Sequence, residues 1–463
     1  MKKNHLIIIA LAAVALTGCK SLYGAYERPA VNTKGIVRDA VNDQDTLAVK
    51  DTTSFANIPW RSVFTDPHLQ QLISKALENN PDLQNAALNI DLAEAQLKAA
   101  KLAFLPQVVF SPQGQISSWD WGKATKTYSF PLTASWDADL WGNLRAQKRG
   151  AQAALLQMQD YKVAVQTQLI ANIANSYYTL LMLDREMEIV ENMAELTKNT
   201  WDIMKLEKQT IAGVRSTAVQ SAEAAYLSVM TQKEDIRRQI RQTENSLSLL
   251  VGQPVQSIAR GKLADQSLPS NFSTGVGIQL LSNRADVHAN EMKLVQCFYN
   301  VEEARSKFYP SLTITGTGAF TNSGGMMVTN PGKILLNAVA SLTQPIFMKG
   351  QLTANLKASQ IQYQQAYNTW QNSVLTAGSE VSNALVLYNT SDAKIKTEER
   401  RIAVLKQNVE DTRSLMASSG STYLEVITAE TNLLNAELNQ VQDQFSKMQA
   451  VVNLYYALGG GAK

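Results

Sequence analysis

The sequence predicts a mainly α chain with a transmembrane β-barrel portion, in which two structural repeats each supply a long α-helical hairpin and two of four β-strands. Three observations predict it. One register recurs: Asp82 and Asp286, Phe104 and Phe308, and Pro106 and Pro310 lie 204 positions apart. Gly213 and Gly420, Glu223 and Glu430, and Gly252 and Gly459 lie 207 apart, and Gly142 and Gly350 lie 208 apart. Markers as different as Pro, Gly and acids hold this offset, so a unit of about two hundred residues occurs twice. No proline falls between Pro131 and Pro254 or after Pro345, which leaves room for helices far beyond the usual length of about 11–12 residues. Four segments alternate apolar with polar side chains, the period of a strand with two unlike faces.

The elements follow in order. Lys2 and Lys3 precede an apolar run from Leu6 to Leu16, the charged start and short apolar core of a secretory leader, too short to span a membrane as a mature helix. The run closes on Leu16-Thr17-Gly18-Cys19, which is similar to the bacterial lipobox. Residues 1–18 are expected to be removed and Cys19 to receive lipid. Acyl chains contribute about 0.8 kcal/mol per buried CH₂, so several chains on one residue anchor stably. Residues 19–65 then form a lipidated, extended N-terminal segment. Repeat 1 spans 66–260, with a helix over 66–104, strands 107–118 and 126–138, and a helical hairpin 143–251. A linker over 261–277 leads to repeat 2, 278–458, with a helix over 278–308, strands 311–322 and 334–345, and a hairpin 350–457. A short tail, 459–463, ends the chain.

In the last helix Leu424, Ile427, Thr431, Leu434, Leu438, Val441, Phe445, Met448 and Val452 alternate steps of three and four, a coiled-coil seam with only Thr431 polar. Ile395, Ile402, Leu405, Val409 and Met416 trace an imperfect stripe before it. The stretches around Gly213 and Gly420 read as a helix stop followed by a fresh cap, so each helix pair doubles back there. A helix from Asn143 to Ala212 reaches roughly 100 Å at 1.5 Å per residue. No compact soluble domain holds that.

Along the first strand Val108, Phe110, Pro112, Gly114 and Ile116 share one face opposite Gln107, Ser111, Gln113, Gln115 and Ser117, with Val109 the exception. Tyr128, Phe130, Leu132, Ala134 and Trp136 repeat the pattern, as do Leu312, Ile314, Gly316, Gly318 and Phe320; the fourth segment is noisier. About 9–11 residues span a membrane as a strand. Four strands cannot enclose a barrel, and an open edge in lipid leaves backbone groups unsatisfied. Two copies give eight strands and a filled interior, whereas three give twelve and begin to open a lumen. The rival architecture is a soluble pair of hairpins on a sandwich.

Composition removes other classes. The formal charge is +3, or +1 once residues 1–18 are gone, too small for a nucleic-acid footprint. Three His and two Cys leave no zinc site or disulfide framework. Cys297, in an apolar stretch, reads as core, and His68 and His288 as satisfied structural histidines. Neither a Walker loop nor a GxSxG elbow is present. No enzymatic activity, cofactor or metal site is expected.

The stretch Ser135-Trp136-Asp137-Ala138-Asp139-Leu140-Trp141-Gly142-Asn143-Leu144-Arg145 resembles the strand-to-helix junction of the TolC-like outer-membrane efflux factors, in the lipoprotein branch similar to OprM. Residues 95–106 and 342–350 look like two further signatures, and the resemblance runs from about Trp60 to Leu458. Physically, Asp139 or Asp137 complements the amides at the helix entry, and Gly142 permits the bend from strand to helix.

The resemblance implies a homotrimer with a twelve-stranded barrel in outer-membrane lipid and a twelve-helix periplasmic tube. It implies a passive exit duct for an inner-membrane resistance-nodulation-division (RND) transporter, reached through a periplasmic adaptor protein. Gly213, Val214, Arg215, Gly420, Ser421 and Thr422 match the helical tips that meet the adaptor, and Tyr423, Glu425 and Thr428 match the positions that narrow the pore. Three copies of Glu425 would repel and favour cations; a solvated acid at a helix start is the alternative. Arg215 is equally an adaptor contact or a surface charge. The resemblance makes drugs and toxic compounds the first-choice cargo, because the lipidated branch with the Trp136–Gly142 signature usually serves RND pumps. Metal export is less favoured, since 13 Met are scattered and His is scarce. Metal-ion export, protein export and a non-conducting coiled-coil scaffold are the other readings.

Overall fold

A computed structural model describes residues 24–30, 58–118, 120–210, 215–269, 284–324, 327–417 and 422–461. Cys19, Gly213, Val214, Gly420, Ser421 and the leader lie outside the described residues. Helices α1 (Trp60–Val63), α2 (Pro67–Asn79) and α3 (Pro81–Leu102) precede strands β1 (Gln107–Phe110), β2 (Gln113–Ser117) and β3 (Thr125–Ala138). Helices α4 (Asn143–Thr210) and α5 (Ser216–Leu250) follow. The second half runs α6 (Ala285–Ser306), β4 (Ser311–Gly324), β5 (Met327–Thr343), α7 (Gln351–Ala417) and α8 (Tyr423–Ala457). Helix α4 has 68 residues, a length of about 100 Å.

Two compact units divide the chain, and each draws on both repeats. One holds Met1–Val31, Asn89–Gln159 and Ala289–Gln371, and with them the whole sheet. The other holds Asn32–Leu88, Asp160–His288 and Asn372–Lys463, with a core that includes Phe64, Leu69, Ile73, Tyr177, Leu180 and Leu247.

Several expectations are corrected. The helix expected over 66–104 is two helices, because Asn80 precedes Pro81 and takes an extended conformation (φ −66°, ψ 124°) that the proline ring imposes on its predecessor. The helix expected from 278 begins, among the described residues, at Ala285. The strand expected over 107–118 is split into β1 and β2, which keep one register on β3. Pro112 and Pro131 both lack an N–H, so between β1 and β2 the ladder thins to the bond from the Ser111 amide to the Pro131 carbonyl at 3.2 Å. Strand β5 starts at Met327, seven residues before the expected Ile334, and stops at Thr343, ahead of Pro345.

The expected seam is buried in part: Leu434, Val441, Phe445 and Val452 lie among the buried residues of α8. Val426, Ala429, Leu433 and Ala436 are among the buried positions of α8, and Ala429, Leu433 and Ala436 pack on Ile402, Val409 and Leu405 of α7. Leu424 and Thr431 of the expected stripe are exposed. The sequence pattern records every apolar position, whereas burial within one hairpin selects those that face the partner helix.

Candidate functional site

The sheet is antiparallel in the order β1-β3-β4-β5, with β2 continuing β1 along β3. Its register sorts residues into two faces. Phe110 stands beside Leu132 and Leu132 beside Gly318, which pairs with Leu336; Phe130, Phe320 and Ile334 form the next row. Ile334 and Leu336 are 76% and 81% exposed, so among the described residues these positions of the apolar face are left uncovered. The opposite face carries the rows Gln107, Ser135, Thr315, Val339 and Val109, Thr133, Thr317, Asn337. Thr133 and Thr317 share a hydroxyl hydrogen bond of 3.2 Å. Asp137 and Lys333 are the charged residues of this face within the register, near opposite ends of the strands.

The sheet is open. Strand β5 forms one edge, and β1 with β2 the other. Such edges present unpaired N–H and C=O groups.

At the strand-to-helix junction the two acids do different work. The Asp139 carboxylate accepts hydrogen bonds from the Leu144 amide (2.9 Å) and the Arg145 amide (3.2 Å) and pairs with Arg145 Nε (2.9 Å). It therefore supplies the helix-entry acceptor of α4. Asp137 instead accepts from Thr313 Oγ1 at 2.6 Å, across to β4. Gly142 takes φ +79°, and its repeat counterpart Gly350 also takes φ +79°, a left-handed conformation that glycine adopts without the Cβ penalty. Trp136 Nε1 donates to the Phe104 carbonyl at 3.0 Å. Trp141 donates to the Pro310 carbonyl and stacks on Tyr309.

At the hairpin tips, Thr422 and Glu425 form a reciprocal capping box: the Glu425 carboxylate accepts from the Thr422 amide, and Thr422 Oγ1 accepts from the Glu425 amide. Tyr423 and Ile427 pack against the cluster of Met204, Ala218 and Ala222. Thr428 donates to the Leu424 carbonyl. Arg215 is the N-cap of α5 and makes no side-chain cap. The structure thus brings Tyr423 to a packed cluster and places Glu425 and Thr428 on the first turns of α8, with Glu425 exposed.

Polar contacts that periodicity did not announce hold the tip region. Arg413 Nη2 and Nε reach Glu430 Oε1 at 2.5 and 3.1 Å, and Thr200 Oγ1 donates to the same oxygen at 3.0 Å. Glu430 is 1% exposed. The one sequence signal was its pairing with Glu223. His288 Nδ1 meets Asp160 at 2.6 Å. Cys297 is buried, and burial pushes its thiol pKa up, which suits a core residue. Among the described residues no group of three or more His, Cys, Asp or Glu is arranged to hold a metal ion. No described helix is long and apolar enough to cross a membrane.

The family described as outer membrane efflux protein is matched over residues 72–253 and again over 277–460. The chain belongs to this family. This outer membrane efflux protein is 29% identical over 459 residues to the cation efflux system protein CusC of Escherichia coli O157:H7, covering 97% of each chain. It is 28% identical over 485 residues to the toluene efflux pump outer membrane protein TtgC of Pseudomonas putida, covering 99% of this chain and 96% of the relative. A crystal structure of CusC matches it with a TM-score of 0.83 at 26% identity, covering 95% of this chain and 100% of the other. The efflux protein therefore has the fold of the TolC-like channels, whose structures contain an α-barrel and a β-barrel, and it resides in the outer membrane. Both relatives are efflux proteins by name.

Proposed function

We propose that this protein is the exit duct of a tripartite efflux system, a homotrimer that passively conducts small molecules from an inner-membrane RND pump, through a periplasmic adaptor, to the outside. The open, two-faced sheet carries this reading. An unsatisfied backbone group in hydrocarbon costs several kcal/mol, and β1 with β2, β3, β4 and β5 make only four strand paths. Identical neighbours supply the missing edges, and three copies give twelve strands around a lumen. The apolar face meets lipid and the hydroxyl face meets water.

Cys19 carries the lipid anchor in this reading. Gly213, Val214, Arg215, Gly420, Ser421 and Thr422 meet the adaptor. Glu425 keeps two roles open: the capping box supports a structural one, and a threefold ring of acids supports a cation-favouring constriction. Organic toxicants are the favoured cargo, in line with the similarity to TtgC. The similarity to CusC favours metal cations as the second reading.

The test is purification in detergent with measurement of mass and bilayer conductance. A trimer with steady conductance is expected, and a monomer without conductance returns the chain to the scaffold reading. Deletion strains challenged with organic toxicants and with metal cations separate the cargo classes.

A further inference from the structure

The segment 24–30 lies in the same compact unit as most of α6 and the first turns of α7. It has no regular secondary structure, yet it is held at several points. Arg28 grips Glu291 of α6 with both Nε, at 2.7 Å to Oε1, and Nη2, to Oε2. The Glu291 side chain is only 8% exposed, so its carboxylate depends on that one guanidinium for much of the water it has lost. The Arg28 guanidinium also lies 6.0 Å from the ring centre of Trp370. Two residues earlier, the Tyr26 ring meets Phe298 edge-on at 5.7 Å. Burial, with help from the nearby Glu291 charge, pushes the Tyr26 phenol well above its ordinary pKa. Glu291 and Phe298 are seven positions apart, hence on one face of α6.

We infer that residues 24–30 are a strap, locked by the Arg28–Glu291 pair, that seats the lipid-bearing N-terminus against the body of the channel subunit. The inference rests on the lipidation of Cys19 proposed above. Gly24 lies five positions after Cys19, a reach of at most about 18 Å. Lipid alone attaches the chain to a membrane. The strap decides which part of the subunit lies beside the attachment.

The test uses the full-length protein in outer membranes, with chymotrypsin cleavage after Tyr26, palmitate incorporation at Cys19 and the yield of assembled oligomer as readouts. Arg28→Ala is expected to raise cleavage after Tyr26 about tenfold, as loss of a charge-assisted bidentate pair implies, to leave palmitate unchanged and to lower oligomer yield several-fold. Arg28→Glu combined with Glu291→Arg is expected to restore protection and yield. Equal cleavage of the wild type and Arg28→Ala overturns the strap. Equal oligomer yield despite increased cleavage overturns its role in seating the anchor. Absence of palmitate on the wild-type protein overturns the lipidation reading instead, and the cleavage comparison still reports on docking.

Discussion

In the first repeat Asn80 stands ahead of α3 and donates Nδ2 to the carbonyl of Leu250, the last residue of α5, at 2.9 Å. In the second repeat Arg284, 204 positions later, stands ahead of α6 and donates Nη1 to the carbonyl of Ala457, the last residue of α8, at 3.2 Å. Both side chains answer one demand: the final carbonyls of a helix lack an intrahelical partner. The amide does so as a neutral group and also accepts from the Leu83 amide. The guanidinium, 3% exposed, brings a charge that Asp286 and Glu380 balance and the Tyr456 ring covers. The tips diverge in the same way. Arg413 and Glu430 pair in the second repeat, whereas the corresponding positions of the first hold Leu206 and Glu223. Duplication has kept the backbone requirement and changed the chemistry that meets it, with an ion pair in the second copy at both of these places.

That contrast can be broken at four places. The largest effect is expected from Arg284→Ala, about 3 kcal/mol, because it strands a helix-end carbonyl and two acids, although the acids are over a third exposed and partly rehydrate. Asn80→Ala should cost about 1–2 kcal/mol, the loss of neutral hydrogen bonds. Denaturant unfolding of the detergent-solubilised protein measures both, and an equal pair of values would remove the distinction. Next, Glu430→Ala should destabilise by about 2–3 kcal/mol, while Glu223→Ala stays within about 0.5 kcal/mol.

Gly142→Ala and Gly350→Ala sharpen the comparison from the opposite side. Both glycines have φ +79°, and a Cβ at either meets only ordinary contacts, 3.6 Å to Arg145 and 3.9 Å to Thr353. Each change should cost about 1–2 kcal/mol of left-handed strain, and the two should match within the error of a thermal melt. The smallest effect belongs to the caps. Glu425→Ala removes half of the capping box and should cost about 1 kcal/mol, whereas Arg215→Ala, with no side-chain cap to lose, should be near neutral. Glu425→Gln tests the rival role: higher conductance of the assembled trimer at low ionic strength supports a charge ring, and an unchanged conductance leaves the cap alone.

The junction shows where reading the chain stops. Ser135 to Arg145 marked a strand entering a helix, and both Asp137 and Asp139 qualified as the capping acid. Only the folded backbone distinguishes them, because Gly142 turns the chain so that Asp139 meets the Leu144 and Arg145 amides while Asp137 points to Thr313. Tyr423 is a similar case. Its place after the second turn matched a pore position, and the folded chain adds that it packs against the cluster of Met204, Ala218 and Ala222.

By itself the sequence determined what depends on neighbours along the chain: the period-two strands, the long proline-free helices, the glycine joints and the 204–208 offset. These follow from local backbone preference and from the alternation of apolar and polar residues, which need no knowledge of what lies opposite. The tertiary structure decided the partners: Asn80 with Leu250, Arg284 with Ala457, Arg413 with Glu430, Arg28 with Glu291, and the face of α8 that is buried. Each joins positions that no repeat of 2, 3.6 or about 204 residues brings into register. A contact between elements depends on how far each helix has turned when they meet, and that angle is fixed only when the helices pack.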